Sequence, residues 1–230
     1  MQTSADRGDA QLEQWLRTRY SCRAFRPEPV PRHVIERILE LAQRTASWCN
    51  CQPWQLAIAS GAGMERVRAA LASRHEQDPQ GRRDFGDPIA YEGVYLERRR
   101  ESGYQLYEAV GIARGDRQAY ERQARRNFVL FDAPHLAVVS SPAALGTYGA
   151  IDCGGYVSTF MLAARANGVA CIAQAAVAQY PDVLRRELGL PDNQLVVCGI
   201  SFGYEDLDHP VNQYRTRRAL QSETVNWIDE

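Results

Sequence analysis

The chain has 230 residues, and its 27 basic and 28 acidic side chains give a formal net charge of −1 at pH 7. That balance removes any whole-molecule electrostatic reason to bind nucleic acid or an anionic membrane surface. Every basic position other than histidine is arginine, which excludes a Schiff-base lysine and a Walker-type lysine and leaves arginine, a good bidentate partner for phosphate, to serve any anion.

A chain of this length can bury a sizeable core without covalent staples. Its start, Met1-Gln2-Thr3-Ser4-Ala5-Asp6, lacks a basic patch followed by an apolar run, so no signal peptide and a cytoplasmic setting are expected. With no secretory signal, the six cysteines (Cys22, Cys49, Cys51, Cys153, Cys171, Cys198) read as free thiols. Cys49 and Cys51 are separated by one residue, with no second pair nearby, and the histidines show no H-x-x-x-H spacing, so no metal site is expected.

In chain order, residues 9–19 form a first amphipathic helix with Leu12, Trp15 and Leu16 on one face. Pro31 suits the first turn of a second helix striped by Val34, Ile35, Ile38, Leu39, Leu41 and Ala42. The segment Ser47-Trp48-Cys49-Asn50-Cys51-Gln52-Pro53-Trp54 reads as neither helix nor strand. Either it is ordered by a planar, polar-edged ligand, or it plugs its tryptophans into the core while Ser47 and Asn50 bond their own backbone. A strand over 55–60, a turn at Gly61-Ala62-Gly63 and a short helix over 64–73 follow. Residues 74–88 read as a loop, 91–111 as a long helical pattern carrying Tyr91, Tyr95, Tyr104 and Tyr107, and 116–131 as a further helix. The tyrosines are either core-edge residues or the wall of a substrate pocket.

A strand at 136–139 precedes the most apolar helix, 148–167, whose Gly149, Ala150, Gly154, Gly155 and Ser158 suit a central core helix or the axis of a homodimer. Arg165, Asn167 and Gly168 interrupt the apolar run, so it is read as a buried helix followed by a β segment at 169–178, not as a membrane span. A short helix opening at Pro181, a buried strand over 194–202 and an arginine-rich tail complete the chain.

Three separated pieces then carry a resemblance. Arg19-x-Ser21-x-Arg23-x-Phe25, the segment from Ser47 to Trp54, and Gly199-Ile200-Ser201-Phe202-Gly203-Tyr204 with Arg215-Thr216-Arg217-Arg218 together resemble the FMN-dependent nitroreductase family, nearest to its nitrobenzoate-reductase-like members. The resemblance implies an α+β fold with a central, mainly antiparallel sheet flanked by helices, in an intertwined homodimer. It covers the whole chain as one domain, 1–230, with a helical excursion at about 74–131 and a C-terminal arm at 204–230. It implies FMN as cofactor and NADPH or NADH as reductant, in a ping-pong reduction of a small nitroaromatic substrate to nitroso and hydroxylamine products. Arg19, Ser21, Arg215 and Arg218 would meet the FMN phosphate, with Arg217 the rival of Arg218, and Arg23 the flavin pyrimidine edge. Ser47 and Asn50 would reach the ring from the partner subunit, although Ala46 stands where the family has Pro. Gln174, with Ala175, would neighbour N5. No protein side chain is implied as a catalytic acid or base, since the cofactor carries the chemistry. The same scaffold also accommodates reductases of activated alkenes, quinones or halogenated phenols, and a non-enzymatic flavin-binding protein.

Overall fold

A computed structural model describes residues 4–229; Met1 to Thr3, part of the leader expectation, lie outside the described residues. Helix α1 spans Ser4–Thr18 and α2 spans Arg32–Ala42, with Pro31 at its N-cap. Strand β1 covers Gln55–Ser60 and runs directly into α3, Gly61–Gln77. The expected turn over three residues is absent because Gly61 alone, at φ +52°, makes the reversal, a conformation in which glycine has no side chain to clash. Helices α4 (Gly93–Ala109) and α5 (Arg117–Arg125) follow.

Asp116 caps α5 through a bond from the Ala119 N–H. That helix ends at Arg125, short of the expected residue 131; residues 126–129 form a turn, and Leu130, Phe131 and Asp132 then adopt positive φ. Helix α3 continues to Gln77, so the loop expected from residue 74 begins after it. Strands β2 (His135–Pro142), β3 (Ala170–Gln174) and β4 (Gln194–Gly203), with α6 (Gly146–Ala166) and α7 (Pro181–Leu188), complete the regular elements.

The sheet has the order β1-β2-β4-β3, and every neighbouring pair is antiparallel. β2 lies between two strands and is covered on both faces, so successive side chains serve opposite cores. Ala137 and Val139 join the cluster built on α2 and α6 with Trp54, Tyr156, Phe160 and Phe202. Leu136 and Val138 join the cluster built on α3 and α7 with Met64, Leu71, Tyr180 and Leu184. Burying one of these large side chains is worth roughly 1.5–3 kcal/mol. His135 is buried among them, accepting from the Val30 N–H at Nε2 (2.8 Å) and bonded to Ser60 at Nδ1 (2.6 Å). Burial holds its pKa below the ordinary value.

Two surfaces are not spent on these cores. α4 has no buried residue. On α6, Tyr148, Ile151, Gly154, Gly155 and Ser158 are exposed although the helix is strongly apolar. Among the described residues no helix is long and apolar enough to cross a membrane.

Candidate functional site

Residues 19–26 run as an extended segment along the end of the sheet. Ser21 forms a parallel bridge with Cys171 of β3, the Cys22 N–H donates to the Cys171 carbonyl (3.2 Å), and Phe25 bridges Glu205 beyond β4. Period-two alternation then turns Cys22 and Ala24 into the core, while Ser21 and Arg23 face outward. Cys22 is inert in this position, its thiol pushed up to about 11 by burial.

The C-terminal arm is clipped to this segment by Asn212, which is buried. Its Oδ1 accepts from the Arg23 N–H (2.9 Å), and its Nδ2 donates to the carbonyls of Ala24 and Asp206 (2.8 Å each). Segment and arm enclose a cavity of about 650 Å³. Arg17, Arg19, Arg23, Arg215 and Arg218 line it with Ser21, Ser102 and Thr216, and among the described residues the lining holds no carboxylate. Such a donor set suits an anion with several oxygens.

Each arginine is held differently. Arg23 donates from one terminal nitrogen to the Tyr214 hydroxyl (2.9 Å) and the Ser21 carbonyl (3.1 Å). Burial raises the Tyr214 pKa, opposed by the Arg23 charge beside it. Arg215 lies over the Tyr20 ring at 3.7 Å from its centroid. Arg218 bonds back to Thr216, whereas Arg217 turns away to pair with Glu101 at 2.7 Å. The two rivals therefore part company: Arg218 lines the cavity and Arg217 does not.

Beside it, a second cavity of about 660 Å³ lies between the arm and α4, spanned by the Arg217–Glu101 and Arg98–Glu223 pairs. Ser102 and Gln105 of α4 line it. None of Tyr91, Tyr95, Tyr104 or Tyr107 lines either cavity; Tyr107 instead stacks on Tyr120 at 4.2 Å.

The remaining expected site residues lie elsewhere on this chain. Trp54 is buried, packs on Tyr156 (5.0 Å) and donates to Gln43, so half of the core-plug reading holds. Trp48 stands out at 57% exposure against Tyr148. Ser47 Oγ accepts from the Gln52 N–H (3.0 Å), and the Asp152 carboxylate accepts from the Trp48 N–H (3.2 Å). These bonds hold Cys49, Asn50 and Gln52 at φ of 52°, 55° and 48°, a costly geometry for non-glycine residues. Among the described residues the exposed Asn50 side chain has no hydrogen-bond partner. Gln174 is buried, and its side chain is occupied: Oε1 accepts from Ser201 (2.5 Å) and Nε2 donates to Asn127 (3.0 Å). Only its backbone and the exposed Ala175 remain available there.

The nitroreductase family profile matches residues 16–204, from the end of α1 through β4. The chain belongs to the nitroreductase family. It is 36% identical over 218 residues to nitroreductase NfnB of Mycolicibacterium smegmatis, covering 94% of this chain and 92% of that protein. It is 33% identical over 217 residues to a 4-nitrobenzoate reductase of a Nocardioides species, covering 93% of this chain and 88% of the relative. Its structure matches that of the FMN-dependent nitroreductase NfnB from Mycobacterium smegmatis in complex with NADPH, with a TM-score of 0.90 and 37% identity over 95% of this chain and 99% of that one. The antiparallel sheet with helices on both faces is thus the nitroreductase fold.

Around this nitroreductase cavity, Tyr20, Tyr214, Ser102 and Thr216 of the lining, and Asn212 behind it, were missed by the sequence reading. Tyr20 and Thr216 occupy unspecified positions between the recognised arginines. Asn212 is bonded to residues nearly two hundred positions away, for which the chain carries no local signal.

Proposed function

We propose that this chain is an FMN-dependent oxidoreductase that uses NADPH or NADH in a ping-pong cycle to reduce nitroaromatic compounds to nitroso and hydroxylamine products. The observation that carries the reading is the convergence of Arg19, Ser21, Arg23, Arg215 and Arg218 on one carboxylate-free cavity in a nitroreductase-family chain. Its similarity to an NfnB whose structure holds NADPH, and to a 4-nitrobenzoate reductase, supports the reductant and the substrate class.

Bound FMN supplies the two-electron chemistry between nicotinamide and nitro group. The chain positions and tunes it. Arg19, Ser21, Arg215 and Arg218 hold the phosphate through charge-assisted hydrogen bonds, and Arg23 places a positive charge toward the flavin ring system, favouring its reduced, more negative form. Ser47 and Asn50 serve the flavin of a second copy. The strained turn and the unpartnered Asn50 side chain suit that role, because such geometry is retained where a site needs it. Gln174 and Ala175 offer backbone groups beside the ring. The second copy packs on the exposed stripe of α6, and the arm, with Leu220, Trp227 and Ile228 exposed, embraces it in a homodimer. The whole is one nitroreductase-like domain, 1–230, with the excursion and the arm 204–230 as appendages, working in the cytoplasm.

Steady-state assays with 4-nitrobenzoate and nitrobenzene test the reading. Nitroarene-dependent oxidation of NADPH or NADH with hydroxylamine product is expected; failure to oxidise either nucleotide with any nitroarene would sink it.

A further inference from the structure

The residue between Arg19 and Ser21 belongs to no recognised motif, yet Tyr20 is among the most constrained side chains around the cavity. Its hydroxyl donates to Glu205 Oε2 at 2.6 Å. Glu205 Oε1 accepts from Arg165 at 3.0 Å, and Arg165 Nε donates in turn to Thr18 at 3.1 Å. This chain of bonds joins the end of α1, the C-terminal end of α6 and the segment after β4, and it fixes the plane of the Tyr20 ring. Burial and the bond to Glu205 both raise the Tyr20 pKa, so the phenol keeps its proton and stays tethered.

On the face of that ring sits the guanidinium of Arg215, 3.7 Å from the centroid. Arg215 belongs to an exposed arm of irregular structure, and its only other side-chain partners among the described residues are the carbonyls of Asn212 (2.7 Å) and Tyr214 (2.8 Å). Both carbonyls accept from the same terminal nitrogen. Stacking engages the flat face of the guanidinium, so Nε and the second terminal nitrogen keep their N–H groups for an anion. A long side chain on a free arm would otherwise have to surrender its rotamer freedom at the moment of binding.

We propose that Tyr20 is a positioning residue for phosphate recognition, its tethered ring forming the platform that holds Arg215 aimed into the cavity. The proposal rests on the FMN reading of that cavity. Because the ring acts only through Arg215, its effect falls on ligands that carry the phosphate and spares those that lack it.

FMN and riboflavin, identical except for the phosphate, are therefore the probes, titrated into the flavin-stripped full chain. For Tyr20→Leu the Kd for FMN should rise about tenfold while that for riboflavin is unchanged. Tyr20→Phe, which keeps the ring but not the tether, should lose less FMN affinity than Tyr20→Leu, and Arg215→Ala should add little to the loss already caused by Tyr20→Leu. Equal losses for the two flavins, or no loss for FMN, would overturn the role of Tyr20. A wild-type chain that binds riboflavin as tightly as FMN would overturn the phosphate reading of the cavity, and the platform with it.

Discussion

Arg23→Ala is expected to weaken FMN binding roughly 10- to 100-fold, the range for losing a hydrogen bond in which the donor is charged. The size follows from how Arg23 is prepared. It is only partly exposed, its backbone is locked by Asn212, and one of its terminal nitrogens is committed to Tyr214 and Ser21. Its remaining N–H groups therefore face the cavity with little freedom left to lose. The same substitution should lower the reduction potential of the bound flavin, because the lost charge favours the reduced form. Arg44→Ala removes an equally charged but exposed arginine outside the cavity and should change neither quantity. Fluorescence titration of flavin-stripped protein and a spectroelectrochemical potential provide the two readouts. Unchanged affinity and potential in Arg23→Ala would remove that residue from the site.

Asp84→Ala is expected to cost about 3 kcal/mol of folding stability, the lower end of the range for breaking a buried ion pair, because this pair is largely but not fully buried. Asp84 lies in the segment at 78–92, which has no helix or strand of its own, and ties that segment to the sheet. One of its carboxylate oxygens accepts from Arg185 (2.7 Å) and from the Val196 N–H of β4 (2.8 Å), with both charged side chains less than one-fifth exposed. Truncation leaves the Arg185 guanidinium, whose Nε already lacks a partner, with the Gln194 carbonyl but no counter-charge, and leaves the Val196 N–H without its acceptor. For a chain of this size the melting temperature should fall by roughly 6–12 °C. Asp84→Asn, which can still accept from Val196, should fall less. A drop of only about 1 °C in the alanine variant would mean that the pair contributes no more than a surface ion pair.

How much of this was legible in the sequence depended on whether the deciding interaction was local. α7 begins at Pro181 and ends before Gly189 in the left-handed conformation, two signals carried by single residues, and its bounds were readable. β1 was equally clear from its apolar run. The start of α3 was not, since two glycines spaced by one residue suggest a turn, and only the backbone shows that Gly61 makes it alone. The β segment expected to continue to residue 178 breaks after Gln174, where the side chain turns inward to Ser201 and Asn127 and the next residues form a single helical turn, Val177–Gln179.

The site divides along the same line. Arg19, Ser21, Arg23, Arg215 and Arg218 were recognisable because the family's motifs are short and ordered along the chain, and they share one cavity. What holds them there was hidden. Tyr20 on Glu205, Tyr214 on Arg23 and Asn212 on Ala24 are contacts across 185 to 191 positions, and no periodicity announces them. Arg218 was preferred to Arg217 from the sequence, but the pairing of Arg217 with Glu101 on α4 could not be read there.

The central claim, that this nitroreductase-family chain carries electrons from reduced nicotinamide to nitroarenes through FMN, is tested most directly by an anaerobic absorbance titration of the purified protein. The account predicts a yellow protein that bleaches with NADPH or NADH and regains its flavin spectrum when 4-nitrobenzoate is added. A protein that takes up no FMN, or whose yellow colour persists with either nucleotide, would contradict it.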